Sequence, residues 1–156
     1  MDAPAAGSAI SDDTAAKGQY RAEARRSAST TAMTPVSLDI DTSAETAWRI
    51  LIDTEEWPHW GPSVRAVRAP ARHIGPGMSG RIQTSPGLWL PFRITDWQDG
   101  RYWAWRVAGM GATGHRVTPL DPARCRVSFL IPRWAPVYRP VCETALRRIA
   151  ERAAAP

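Results

Sequence analysis

The sequence predicts an α+β protein in which a curved, seven-stranded antiparallel sheet wraps around one long C-terminal helix, with two short helices after the first strand. Three observations lead there. Apolar and polar residues alternate in one stretch before the short helices and in six after them, and short turn signals rather than helices join those six. The C-terminal stretch carries its apolar residues at helical spacing instead. A capping pattern and a Trp-rich, Pro-broken turn lie between the first and second strands.

The elements follow in order. Residues 1–33 hold almost no large aliphatics, and Asp2, Asp12, Asp13 and Glu23 offset Lys17, Arg21, Arg25 and Arg26. Such a segment buries too little apolar surface to offset chain entropy and is expected to be disordered; residues 34–156 form the folded domain. Val36, Leu38 and Ile40 alternate with Ser37, Asp39 and Asp41 as a half-buried strand. Thr42-Ser43-Ala44-Glu45 reads as a capping box with Thr42 at its head, opening a helix to about Asp53 with Ala44, Trp48, Leu51 and Ile52 on its apolar face. A short helical turn over Glu55–Trp60 stops at Gly61-Pro62. Strands are then expected over Val64–Ala69, Met78–Thr84, Leu88–Trp97, Arg101–Val107, Thr113–Leu120 and Arg124–Ile131. The final helix spans Pro136–Ala154, with Tyr138, Val141, Cys142, Ala145, Ile149 and Ala153 as its apolar stripe. A curved sheet closed by a single helix leaves a gap between them, and a ligand fits there.

Bulk properties narrow the function. The chain has 156 residues, enough for one domain, with 44% apolar and 22% charged residues. The formal charge is +5, but the basic residues are arginines except Lys17, and they are scattered among apolar positions with no dense run. A solvated basic surface explains them, and no nucleic-acid partner is expected. Cys125 and Cys142 have neither metal-like nor redox-like spacing and read as buried free thiols. Three histidines without paired spacing give no metal site, and the sequence calls for no cofactor. There is no glycine-rich phosphate loop and no nucleophile elbow. No apolar run is long enough for stable membrane insertion and no signal-peptide core is present, so a cytoplasmic location is expected.

One stretch of residues is more specific. Ile40-Asp41-Thr42-Ser43-Ala44-Glu45-Thr46-Ala47-Trp48, then Leu51 and Asp53, then Trp57-Pro58-His59-Trp60-Gly61-Pro62, resembles the opening of the SRPBCC superfamily. Gly75-Pro76-Gly77-Met78-Ser79-Gly80 before a strand and the closing Leu146–Ala150 helix are similar too. The resemblance covers residues 35–154 and implies the helix-grip fold of START-like lipid carriers and polyketide cyclases/dehydrases. That superfamily puts carriers, receptors and enzymes on one scaffold, so the resemblance transfers no catalytic residue.

Alternation assigns the faces. Leu88, Leu90, Phe92 and Ile94 point inward, as do Trp103, Trp105 and Val107, then Thr113, His115 and Val117, and finally Cys125, Val127, Phe129 and Ile131. The expected ligand-binding set is Trp57, Trp60, Leu90, Phe92, Trp103, Trp105, His115, Val127, Phe129, Tyr138 and Cys142. Trp57 and Trp60 either roof the cavity or plug the core beneath the short helix. His115 and Tyr138 are the candidate catalytic groups; His115 either moves a proton or is a satisfied core histidine. Arg93 and Arg106 face outward by the same parity. Outward-facing Trp89 and Trp97 mark either a homodimer face on the convex side or a strand register off by one. The expected function is binding of a small hydrophobic or aromatic molecule, lipid- or polyketide-like. The alternatives are a polyketide cyclase- or dehydratase-type enzyme without metal, and a protein-interaction module of the chaperone-activator or toxin type.

Overall fold

The structure is a computed structural model that describes residues 33–156. The segment expected to be disordered lies outside the described residues apart from Met33, which already belongs to the first strand. In order, the elements are β1 (Met33–Ile40), α1 (Ala44–Ile52), α2 (Trp57–Trp60), β2 (Val64–Arg68), β3 (Ser79–Thr84), β4 (Trp89–Gln98), β5 (Tyr102–Val107), β6 (Met110–Asp121), β7 (Arg124–Pro132), a 3-10 turn (Pro136–Tyr138) and α3 (Arg139–Ala154). The strands form one antiparallel sheet in the order β1-β7-β6-β5-β4-β3-β2. This is the helix-grip architecture, with α3 packed across the concave face through Cys142, Ala145, Leu146 and Ile149.

Local chemistry explains the boundaries. The cap of α1 is Ser43, not Thr42: its hydroxyl accepts the Thr46 N–H at 3.2 Å. Glu45 therefore does not close a capping box and pairs along the helix with Arg49. The last carbonyls of α1 would be orphans in most helices. Here the Asp53 and Ile74 amides serve Arg49 and Ile52, while the indole N–H groups of Trp60 and Trp57 donate to Ile50 O at 3.2 Å and Leu51 O at 3.0 Å. The two tryptophans of α2 thus fasten it to α1. Between β5 and β6, Ala108 and Gly109 form a two-residue hairpin with φ of 50° and 78°, the mirror-image turn that matches strand twist. Consequently β6 begins at Met110, three residues before the expected start at Thr113.

One irregularity redirects a side chain. Strict alternation put Trp97 on the convex face, but the β4–β5 register shifts between Ile94 and Asp96, so Trp97 pairs with Trp103 and shares its concave side. There it packs edge-on against Trp48 of α1, with ring centroids 5.3 Å apart. The extra residue, Thr95, makes a bulge, and the convex homodimer expectation loses one of its two indoles. Trp89 does lie on the convex side, with the Arg68 guanidinium 4.4 Å above its ring. Leu88, expected to point inward, is in the β3–β4 turn and exposed.

Candidate functional site

A cavity of about 290 Å³ opens between the concave sheet and the start of α3. Its sheet wall comes from β3 to β7: Ile82, Leu90, Trp105, Val107, Thr113, His115 and Phe129. The helix wall is Tyr138, Val141, Cys142 and Ala145, and α2 closes one side with Trp57 and Trp60. Met110 and Trp134 stand at the mouth.

Of the residues expected to bind ligand, Trp57, Trp60, Leu90, Trp105, His115, Phe129, Tyr138 and Cys142 line this cavity, whereas Phe92, Trp103 and Val127 do not. Those three are core. The Phe92 ring lies over Gly80, where an added Cβ would come within 2.7 Å of it. Trp103 is completely buried, stacked against Trp57 at 5.5 Å and against His115 at 3.8 Å. Val127 sits between Leu38 and Val117 in adjacent strands and has no exposed surface. Trp57 and Trp60 take the second of the roles left open by the sequence: buried and fastened to α1, they plug the core there, and their remaining surface forms an inner wall of the cavity, not a roof over its mouth. Tyr138 is 39% exposed and belongs to the 3-10 turn at the mouth, not to the buried stripe of α3.

Sequence reasoning passed over Thr113, Ile82 and Val141 on regular elements, Met110 at the very start of β6 and Trp134 in the connection from β7. Thr113 was legible, because it shares the inward face with His115. Met110 lies before the expected start of its strand and Trp134 lies in a turn, so no periodicity in the sequence fixes a direction for either.

The wall has no aspartate, glutamate, lysine or arginine. Its side-chain polar groups are the hydroxyls of Ser63, Thr84, Thr113 and Tyr138 and the imidazole of His115; the Thr113 hydroxyl oxygen accepts the Trp105 indole N–H at 3.4 Å and lies 3.2 Å from His115 Nε2. His115 Nδ1 has no hydrogen-bond partner. With the proton on Nε2, Thr113 accepts from both His115 and Trp105 and keeps its own O–H to give; with the proton on Nδ1, the side facing the Trp103 backbone, Thr113 donates to Nε2 instead. Burial drives the His115 pKa down to about 3, opposed in part by the Trp103 backbone, so the imidazole is neutral throughout the physiological range. Burial likewise pushes the Cys142 thiol up to about 11, with Glu143 adding to the effect. The thiol therefore stays protonated and acts as apolar wall. Among the described residues no group of histidine, cysteine or carboxylate side chains could hold a metal ion, and no helix is long and apolar enough to cross a membrane.

A family model described as polyketide cyclase/dehydrase and lipid transport matches residues 31–155. The chain belongs to this family.

As a member of the polyketide cyclase/dehydrase and lipid transport family, and so of the SRPBCC superfamily, it has solved relatives of the same fold at low identity. The aromatase/cyclase Zhui from Streptomyces sp. R1128 is similar with a TM-score of 0.61 and 14% identity, covering 78% of this chain and 92% of that one. The protein XoxI from Bacillus cereus is similar with a TM-score of 0.61 and 14% identity, covering 78% and 95%. A truncated norcoclaurine synthase from Thalictrum flavum gives 0.55 and 11%, covering 78% and 92%. At such identities the likeness is one of fold. No curated protein matches the chain.

Proposed function

We propose that this protein binds a small, uncharged, apolar or aromatic molecule in the cavity beneath α3. The observation that carries the reading is the composition of the wall: indole, phenyl and aliphatic surface without a formal charge, broken only by the hydroxyls of Ser63, Thr84, Thr113 and Tyr138 and the neutral imidazole of His115. At about 290 Å³ the cavity has roughly twice the ~150 Å³ that holds benzene in an apolar core, which suits a guest of about two fused rings or a short lipid-like chain. Burial at about 25 cal/mol per Å² of apolar area supplies the drive. A wall hydroxyl, that of Thr113 when the His115 proton is on Nε2, orients a carbonyl or other neutral acceptor.

A cyclase- or dehydratase-like activity is the second reading, supported by the family and by His115 standing at the cavity wall. General acid–base work is most effective with a pKa near the working pH. A histidine held near 3 is a weak base and is not the acidic imidazolium at neutral pH, which favours binding over catalysis.

The experiment is native mass spectrometry of the purified protein, followed by titration with Nile red. Wild type is expected to carry or take up one small neutral molecule. Val141→Trp, which fills the helix side of the cavity, is expected to weaken dye binding about tenfold or more with the fold retained. Equal dye affinity in wild type and Val141→Trp overturns the binding reading. Conversion of a poly-ketone thioester that is lost in His115→Gln, with binding kept, replaces it by the catalytic one.

A further inference from the structure

Among the described residues the charges of the sheet are unevenly divided between its two halves. Strands β2 to β5 carry Arg65, Arg68, Arg81, Arg93 and Arg106 against one carboxylate, Asp96. In the other half, Arg116, Arg124 and Arg126 are matched by Asp39, Asp41 and Asp121, and Arg124 and Arg126 pair with Asp41 and Asp39. The β4–β5 turn holds Asp99 and Arg101, which offset each other, and Arg72 before β3 is taken by Asp53 and Glu55 on the helix side.

Strand register gathers four of the surplus arginines into one row. Arg68 stands directly opposite Arg81, and Arg93 directly opposite Arg106. All four are exposed and point away from α3, because their strand neighbours Val67, Ile82, Phe92 and Trp105 pack into the core. Among the described residues none of the four pairs with a carboxylate. Like charges directly opposite on a sheet face cost stability, and a single glutamate would relieve either pair. Neighbouring strands lie about 4.8 Å apart, so the row crosses four strands over about 15 Å. The expectation of no nucleic-acid partner rested on the lack of a dense basic run along the chain. The dense run is here, across the strands.

We propose that this row binds the phosphates of a single-stranded nucleic acid laid across the outer face of the sheet. The planar guanidinium fork matches phosphate oxygens two at a time. The same face offers flat platforms: the Arg68 guanidinium lies 4.4 Å above the Trp89 ring, and that of Arg116 lies 5.3 Å above the Tyr102 ring. Bases stack on guanidinium and aromatic planes, whereas an acidic peptide has no use for them. The described helices all pack on the other side of the sheet, so none is placed to enter the groove of a duplex, and an unpaired strand is the better fit. The row lies across the sheet from the cavity, and its binding does not depend on what the cavity holds.

The test is fluorescence anisotropy of the full chain with a labelled oligouridylate over a range of salt concentrations. Wild type is expected to bind at low salt, with log affinity falling against log salt at a slope of about −3 for four phosphate contacts. The double variant Arg81→Gln/Arg93→Gln is expected to lose about tenfold in affinity and to flatten the slope to about −1.4. Its circular dichroism and Nile red binding stay unchanged, and relief of both like-charge pairs moves its urea midpoint slightly upward. Arg147→Gln/Arg148→Gln, on α3, removes the same charge from the other side of the sheet and is expected to change affinity by less than about twofold. No wild-type binding at low salt overturns the proposal. Equal weakening by the two double variants also overturns it, by making net charge the cause. Tighter binding of polyglutamate than of oligouridylate does so too, by making the partner an acidic polypeptide. Oligouridylate binding without dye uptake supports the row and counts only against the cavity reading.

Discussion

The imidazole of His115 lies nearly flat against the Trp103 indole, with ring centroids 3.8 Å apart and planes 19° from parallel. Full burial holds the ring neutral, with a pKa of about 3 against 6.5 for a free histidine, opposed in part by the Trp103 backbone. The unfolded chain therefore takes up a proton that the folded chain refuses between those values. Stability from this group is complete above about pH 6.5 and is lost as pH falls toward 3, an effect of roughly 3–5 kcal/mol. The imidazole resonances of His115 are expected to show no titration between pH 5 and 8. A midpoint above 6 for His115 refutes the assignment.

Asp53 and Arg72 make a second, separable pH effect. Burial raises the Asp53 carboxyl, but the Arg72 guanidinium and the Glu55 amide together outweigh it, and the net pKa is below the usual 3.8. Arg72 Nη2 is 2.7 Å from Asp53 Oδ2. A depressed carboxyl contributes stability that is full above pH 3.8 and lost as pH drops through the folded value. Asp53→Asn is expected to cost about 1–2 kcal/mol at pH 7 and progressively less below pH 4. A penalty independent of pH in urea titrations contradicts the ion-pair account.

Trp97→Ser distinguishes an inward indole from an interface one. Loss of the Trp48 contact is expected to cost about 2–3 kcal/mol in chemical denaturation, with an unchanged gel-filtration volume. A shift in oligomeric state at unaltered stability would place Trp97 on the outside after all.

Gly80→Ala tests how closely β2, β3 and β4 are packed. A Cβ at this position would sit 2.6 Å from the Arg68 carbonyl oxygen and 2.7 Å from the Phe92 ring. The carbonyl belongs to the neighbouring strand and cannot swing aside, so a loss of about 2 kcal/mol is expected in equilibrium unfolding. A neutral substitution there would show that the strands yield more easily than these distances allow.

The order of elements could be read from the chain because each carries a local signal: alternation in the strands, helical spacing in α3, Gly, Pro and Asp at the turns. Direction within a strand was legible only while the pleat stayed regular. In Ile94-Thr95-Asp96-Trp97 nothing announces that Thr95 is unpaired, and parity counted through it places Trp97 on the wrong face. The division between wall and core is a different kind of information. Trp103 and Trp105 share one face of β5, yet only Trp105 meets the cavity, because Trp57 and His115 pack on its neighbour. That distinction depends on where α2 and α3 come to rest, which alternation along one strand does not encode.

A wall with no countercharge imposes a rule on its occupants. Under the proposed binding function, a phenol, enol or acid would enter as the protonated species and, once ionised, would find no cation in the wall to hold it. The compartment would then act as a filter on protonation state. Retention of an acidic guest would weaken as pH rises past that guest's own pKa, although the imidazole beside it never changes charge.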